Sequence, residues 1–366
     1  MLQNYLDYVR SLFQPGSKIA VAMSGGVDSS LTAALIRRAG FETVGITLKL
    51  HDYKTLECDV NRCIKGGIDD AKNIAKNENF LHYMLDFQDK FREKVIDNFV
   101  QSYGNGITPA PCSLCNKFIK FGEMLDFARN LGADFLVTGH YVQKSGQKIL
   151  RAAERAKDQS YFLALVEAEK LKYVQFPLAK LHKSEVRNLA AQLGLCTANK
   201  PESQDICFIP DGNYREFLRS IRPEMFTPGQ IFSVHGEVLG AHSGLANYTI
   251  GQRRGLGLGG GPWYVKSLNA AKNAVIVARV DELLQQEFFI KDTNLLVNSS
   301  YFSNREIEIQ IRARNVPAPG FFDFENGKVK FLFPQNSVTT GQICAFYEGN
   351  ELLGGGIIVG KKLENM

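Results

Sequence analysis

The chain has few of the features that would take it out of the soluble, globular class. No apolar run approaches the roughly 20 residues needed to span a bilayer. Hydrophobic residues make up 45% and charged residues 22% of the chain, which is ordinary for a globular protein. The opening stretch MLQNYLDYVRSLF is amphipathic, carries acidic residues and lacks the layout of a secretory signal. The expected compartment is therefore the cytoplasm, and no membrane partner is expected. There is no internal repeat and no low-complexity tract. Neither charge sign dominates: 43 Lys and Arg face 38 Asp and Glu, a net charge of +5, with a pI near 8.7. Such a balance permits a polyanionic partner without demanding one. Cysteine is sparse and odd in number, seven in 366 residues, which argues against a disulfide framework. In a reducing compartment a close pair of thiols points instead to metal binding or catalysis.

A length of 366 residues favours two or three domains. The first half alternates strands and helices: KIAVAMS, FETVGITLKL, FLHYMLD and ADFLVTGH read as strands. IDDAKNIAKNE, DKFREKVIDNFVQSY and NKFIKFGEMLDFARNLG read as helices, the last ending at Gly132. This order predicts an α/β domain with a parallel sheet and helices on both faces. After about Pro210 the chain becomes strand-rich. GQIFSVHGEVLG turns at His235-Gly236, two strands flank an asparagine turn in WYVKSLNAAKNAVIVARV, REIEIQIRAR alternates strictly, and ICAFYEGNELLGGGIIVG forms a hairpin. The expected organisation is an α/β domain over 1–209, a small β-rich central domain over 210–284 and a C-terminal β-barrel over 285–366.

In AVAMSGGVDSS an apolar strand ends at Met23, Ser24 to Val27 turn, and a helix begins around Asp28. Glycines let backbone N–H groups point inward, the helix start adds positive potential, and the hydroxyls of Ser24, Ser29 and Ser30 add donors. Together these make a nest for phosphate. No Gly-Lys-Ser/Thr ending follows, so this is not a Walker A loop. The SGGxDS pattern resembles the PP-loop of ATP pyrophosphatases, which cut ATP between its α and β phosphates. That resemblance implies an ATP site along Ala22, Met23, Ser24, Gly25, Gly26, Val27, Asp28 and Ser29, with Asp28 helping to hold Mg²⁺.

The cysteines narrow the class. Cys112 and Cys115 lie in PCSLCNKFIKF, where a helix is expected to begin beside Cys115, and Cys207 lies in ESQDICFIP. SGGVDSS, PCSLCNKFIKF, TGHY, KDQSYFL, SQDICFI and GQRRGLG, taken in this order over nearly the whole chain, resemble the bacterial tRNA-specific 2-thiouridylases. The resemblance implies ATP-dependent 2-thiolation of the wobble uridine (position 34) of tRNAs for Lys, Glu and Gln. AMP activates the C2 oxygen and sulfur then displaces it. Cys207 matches the cysteine that receives a persulfide from a cysteine desulfurase or sulfur-relay protein. Cys115 matches a second catalytic cysteine that frees the sulfur and leaves a Cys115–Cys207 disulfide. Many relatives have Asp where this chain has Cys112. The trio Cys112, Cys115 and Cys207 therefore keeps two main readings open, persulfide chemistry without metal and ligation of a [4Fe–4S] cluster, beside zinc or inert thiols.

The same resemblance places Leu48 against the adenine and Gly139 close to the nucleotide. It assigns His140, Lys157, Asp158, Gln159, Arg312, Ala313 and Gln342 to the tRNA. Ala313 stands where relatives often have Tyr. Read from the residues alone, Asp158 would cap or brace a loop, and Arg253 and Arg254 sit in a glycine-rich loop suited to phosphate. Cys58 and Cys63 read as surface or half-buried thiols, with a second metal site as the alternative, and Cys196 and Cys344 as core residues. A monomer bound to one tRNA is the expected assembly. An amide-forming ligase would have no use for Cys115 and Cys207, and a non-catalytic iron–sulfur RNA-binding protein would have none for the SGGVDSS loop.

Overall fold

In the computed structural model residues 2–50, 60–202, 206–209 and 212–360 are described, with backbone alone for 60–66. Cys58 and the side chain of Cys63 lie outside the described residues, as do Ser203, Gln204 and Asp205 of the SQDICFI motif. The chain divides into two compact units: Met1–Arg92, Leu114–Asp211 and Asn350–Leu352 form the first, and Glu93–Ser113, Gly212–Gly349 and Leu353–Met366 the second.

The first unit is built on a five-stranded, wholly parallel sheet. Its central strand β1 (Lys18–Ala22) is flanked by β2 (Glu42–Lys49) and β4 (Phe135–Val137). The edges are β3 (Leu81–Asp86) beside β2 and the short strand Val174–Gln175 beside β4. Residues Ile19, Ala20 and Val21 of β1 are fully buried, as expected for a strand covered on both faces. Helix α1 (Leu2–Ser11) contributes Tyr5, Leu6 and Val9 to this core, and α2 (Val27–Arg38) contributes Leu31, Leu35 and Ile36. Helix α3 (Val60–Asn77) connects β2 to β3 and buries Ala71 and Ile74 in the same cluster.

The second unit holds two β structures. In the four-stranded sheet, Tyr264–Asn269, Ala274–Ala278, Gly229–Ser233 and Val238–His242 are neighbours in that order. The hairpin turn at Gly236 (φ 88°) and the asparagine turn at Asn273 (φ 44°) fall where expected. Six strands then close a barrel. Gln285–Leu295 pairs with Lys328–Gln335 on one side and with residues 354–359 of the last strand on the other. Phe322 and Phe346 stack at 4.5 Å inside it. The strand expected over REIEIQIRAR spans only Ile307–Gln310, because the chain leaves the ladder before Arg312, whose guanidinium donates to Ile250 O and Thr339 Oγ1 instead.

Two of the expected helices contain widened turns. DKFREKVIDNFVQSY is Gln88–Phe91, a π segment Arg92–Ile96 and Asp97–Gly104. The last of these packs Phe99 on Phe217 and stacks Tyr103 on Tyr214, which groups it with the second unit. PCSLCNKFIKFGEMLDFARN is a short helix Pro111–Leu114, a π-helix Cys115–Met124 and Leu125–Asn130. π turns are uncommon and concentrate at functional sites.

Candidate active site

The strand β1 delivers the chain to the loop at its carboxyl end. Backbone hydrogen bonds fix the start of the turn: Met23 N–H donates to Ile46 O at 2.8 Å and Thr47 Oγ1 to Met23 O at 2.7 Å. Gly25 then takes φ +72°, and a Cβ there would lie 1.8 Å from Gly67 O, so only glycine fits. Ser24 N–H donates to Ser29 Oγ at 3.1 Å, which ties the loop to the first turn of α2. Ser30 Oγ is buried with no hydrogen-bond partner among the described residues. Lys200 Nζ bonds Gly25 O at 3.0 Å and Asp70 at 2.7 Å.

A cavity of about 260 Å³ opens beside this loop. Its lining gathers Ala22, Met23, Ser24, Asp28, Ser29, Leu48, Gly139, His140, Gln159 and Cys115 from five stretches far apart in sequence. Leu50, Lys120, Met124 and Thr138 complete it. Gly25, Gly26 and Val27 shape the loop without lining the cavity, and Val27 packs in the core. Gly139 is in close contact with the start of α2, since a Cβ there would come within 2.9 Å of Asp28 Cβ.

Asp28 is the electrostatic centre. Lys183 Nζ donates to both of its carboxylate oxygens at 2.7 Å, and Tyr141 OH donates to Oδ1 at 2.7 Å. Burial, and then the Asp28 charge, pushes the Tyr141 phenol up, so it stays a donor. Lys183 also lies 3.5 Å from Glu202, which pairs with Lys157 at 2.6 Å. The hydrogen bond from Lys157, followed by the pull of Lys183, holds the Glu202 carboxyl below the usual range. Sequence reasoning missed Lys183. Its signal is faint, one lysine at the first position of the helix Lys183–Gln192, and only the fold brings it to Asp28. Lys183→Met leaves Asp28 without its counter-ion and is expected to cost about 2–3 kcal/mol, since removing one partner strands a partly buried charge. Urea unfolding checks this, and Asp28→Asn combined with Lys183→Met should recover part of the loss.

The residues expected to contact tRNA divide. His140 and Gln159 reach the cavity. His140 Nδ1 lies 2.7 Å from Thr138 Oγ1, and burial, then the nearby Lys120 charge, lowers its pKa well below the ordinary histidine value, so the ring is neutral. Gln159 Oε1 accepts from Tyr141 N–H at 2.9 Å. Asp158 is a brace: its carboxylate accepts from Arg151 (3.1 Å), Ala152 N–H (3.0 Å), Ser160 N–H (3.2 Å) and Ser160 Oγ (2.9 Å). Asp158→Ala is expected to destabilise the protein by about 2–4 kcal/mol by stranding these buried donors, measured as a lower urea midpoint. In the second unit Arg312 braces the 250 and 339 positions, and the Ala313 carbonyl accepts from Gln310 at 3.1 Å. Gln342 Nε2 donates to Thr108 O (3.1 Å) and Pro109 O (2.9 Å), pinning the loop that leads to Cys112. Arg253 and Arg254 are exposed.

The thiols depart from expectation in three ways. The helix begins at Pro111, a favoured first position, so Cys112 rather than Cys115 occupies its first turn. Helix-end potential fades beyond that turn, so it does not act on Cys115. Cys115 is only 7% exposed and lines the cavity, whereas Cys112 and Cys207 are exposed. Cys207 sits on a turn closed by Ile209 N–H to Ile206 O at 2.8 Å and anchored by buried Phe208 against Phe91. Among the described residues no three His, Cys, Asp or Glu side chains form a group able to hold a metal ion. A [4Fe–4S] cluster on Cys112, Cys115 and Cys207 is therefore not supported, and no step is assigned to a cluster. Cys196 is exposed, with its sulfur 3.8 Å from Asp70, and is not a core residue. Cys344 is fully buried in the barrel core.

Comparison with known proteins agrees with this architecture. Residues 17–211 match the family model described as tRNA methyl transferase HUP domain, 215–279 the tRNA methyl transferase PRC-barrel domain, and 285–358 the aminomethyltransferase beta-barrel domain. A parallel sheet with a glycine–serine loop at the end of its central strand, matched by a HUP-domain model, makes the first unit a nucleotide-binding HUP domain. The tRNA-specific 2-thiouridylase MnmA of Rickettsia peacockii (strain Rustic) is 46% identical over 93% of this chain and 96% of its own. That of Rickettsia typhi (strain ATCC VR-144 / Wilmington) is 45% identical over 93% and 98%. The chain belongs to the tRNA-specific 2-thiouridylase family. No helix among the described residues is long and apolar enough to cross a membrane.

Proposed function

We propose that this protein uses ATP to replace the 2-oxygen of the wobble uridine in tRNAs for Lys, Glu and Gln by sulfur. The observation that carries the reading is that Cys115 lines the same cavity as the phosphate loop, so a nucleophilic sulfur and an ATP site share one enclosure. Methyl transfer, the activity in the descriptions of the matching family models, has no use for a pyrophosphate loop.

Leu48 and Leu50 supply an apolar wall for adenine, and the loop between Ala22 and Ser29 takes the phosphates. Mg²⁺ suits a single carboxylate with hydroxyls and phosphate oxygens completing its shell. Asp28, with Ser24 and Ser29 beside it on the cavity wall, offers that donor set once Lys183 yields the carboxylate. Bound there, the ion would neutralise charge on the phosphates. The uridine 2-oxygen attacks the α-phosphorus, the bond to the β-phosphate breaks and pyrophosphate leaves with the electron pair. A carbonyl oxygen is a poor leaving group, and as part of AMP it becomes a good one.

Cys207, outward on its turn, receives the persulfide from a cysteine desulfurase or sulfur-relay protein. The Cys115 thiolate attacks the Cys207 sulfur and releases hydrosulfide, leaving a Cys115–Cys207 disulfide for reduction by an external dithiol. Hydrosulfide adds to C2 and AMP departs with the C–O electron pair. The reading is tested by following pyrophosphate release with and without a tRNA transcript. Release that requires tRNA is expected, and release absent or indifferent to tRNA would overturn it.

A further inference from the structure

The cavity is lined by four titratable side chains, Asp28, Cys115, Lys120 and His140. Asp28 is neutralised by Lys183 and His140 is held neutral by burial. Lys120 differs from both. It is half-buried, and among the described residues its ammonium makes neither a hydrogen bond nor an ion pair. Keeping a lysine partly out of water without a counter-charge costs free energy. A cation held this way in a cavity suits an anion that arrives with the ligand.

The helix explains why this lysine faces inward. In the π segment Cys115–Met124 the backbone closes i→i+5 rings, and the widened turn brings the residue five positions after Cys115 round toward its side. Cys115, Lys120 and Met124 all line the cavity. In a regular α-helix position 120 would point well away from the Cys115 side; Ile119, between them, is fully buried in the core.

We propose that Lys120 is a catalytic residue that binds the α-phosphate. The inference rests on the function proposed above. The backbone of the SGGVDS loop serves the phosphates that leave as pyrophosphate. The α-phosphate stays bonded to the uridine oxygen after they depart, on the wall shared with Cys115. Lys120 neutralises charge there twice: when the Pα–O bond to uridine forms as the bond to the β-phosphate breaks, and when AMP leaves C2 with the C–O electron pair. It transfers no proton in either step.

The test compares adenosine, AMP and Mg·ATP binding by calorimetry in the wild type and in Lys120→Met, Lys120→Gln and Lys120→Arg. The wild type is expected to bind AMP more tightly than adenosine. The Met and Gln variants are expected to lose about tenfold or more in AMP affinity with adenosine affinity unchanged, and Arg to retain most of it. In parallel, tRNA-dependent pyrophosphate release should fall about 10²–10³-fold in Lys120→Met, the scale of losing one charge-stabilising group. Unchanged AMP affinity in the Met variant, or equal wild-type affinity for AMP and adenosine, would overturn the proposal. So would loss of adenosine binding in the Met and Gln variants alike, which would mark Lys120 as structural. A wild type that binds no adenine nucleotide would overturn the parent reading as well.

Discussion

Cys207→Ala is expected to abolish 2-thiouridine formation while tRNA-dependent pyrophosphate release continues near the wild-type rate. Cys115→Ala should show the same split. The argument is one of separate machinery. In the proposed reaction activation uses the loop, Asp28 and the adenine wall, none of which involves a thiol. In that reaction sulfur delivery uses both cysteines, one exposed on its turn and one on the cavity wall. On this reading the Cys207 variant lacks the carrier and the Cys115 variant lacks the resolving thiol. Nucleoside mass spectrometry of the tRNA and a pyrophosphate assay on the same sample read the two halves separately. Loss of pyrophosphate release in either variant would contradict the division of roles.

Gly25→Ala is expected to cost about 3 kcal/mol or more and to eliminate ATP binding. A non-glycine residue at φ +72° carries about 1–2 kcal/mol of backbone strain. The added methyl would also sit 1.8 Å from the Gly67 carbonyl oxygen, a backbone atom with no rotamer to yield, so the loop must move. Gly26→Ala is the matched control. Gly26 has φ −88°, and the nearest atom to a Cβ there is Ser24 Oγ at 3.6 Å, so its stability should change by less than about 1 kcal/mol. Urea unfolding and ATP calorimetry on both variants check the contrast.

The strand–loop–helix around Ser24 to Ser29 was legible because its signals are local: an apolar run, two glycines and a helix start. The parallel sheet and the hairpins at Gly236 and Asn273 were legible for the same reason, since turn residues and periodicity act over a few positions. Cys115 and the phosphate loop were linked in sequence only by resemblance to a family. The structure supplies the physical link, a shared cavity. Lys183 and Lys120 were not legible. Lys183 matters through one long-range pairing with Asp28, and Lys120 through a helical register that α-helical periodicity does not anticipate. Asp158, Arg312 and Gln342 were read as tRNA contacts through the family resemblance, with bracing the reading of Asp158 from the residues alone. In the fold all three also hold loops together, Arg312 and Gln342 through long-range pairings that local sequence does not announce. Pro111 likewise moved the helix start upstream, giving its first turn to Cys112.

The most direct test of the activation chemistry follows one oxygen atom. A tRNA transcript carrying ¹⁸O at the uridine 2-position is incubated with the protein, Mg·ATP and a persulfide donor, and the AMP released is analysed by mass spectrometry. One ¹⁸O in AMP for each 2-thiouridine formed is the expected result. Formation of 2-thiouridine with the label in water or in pyrophosphate would contradict an adenylated uridine.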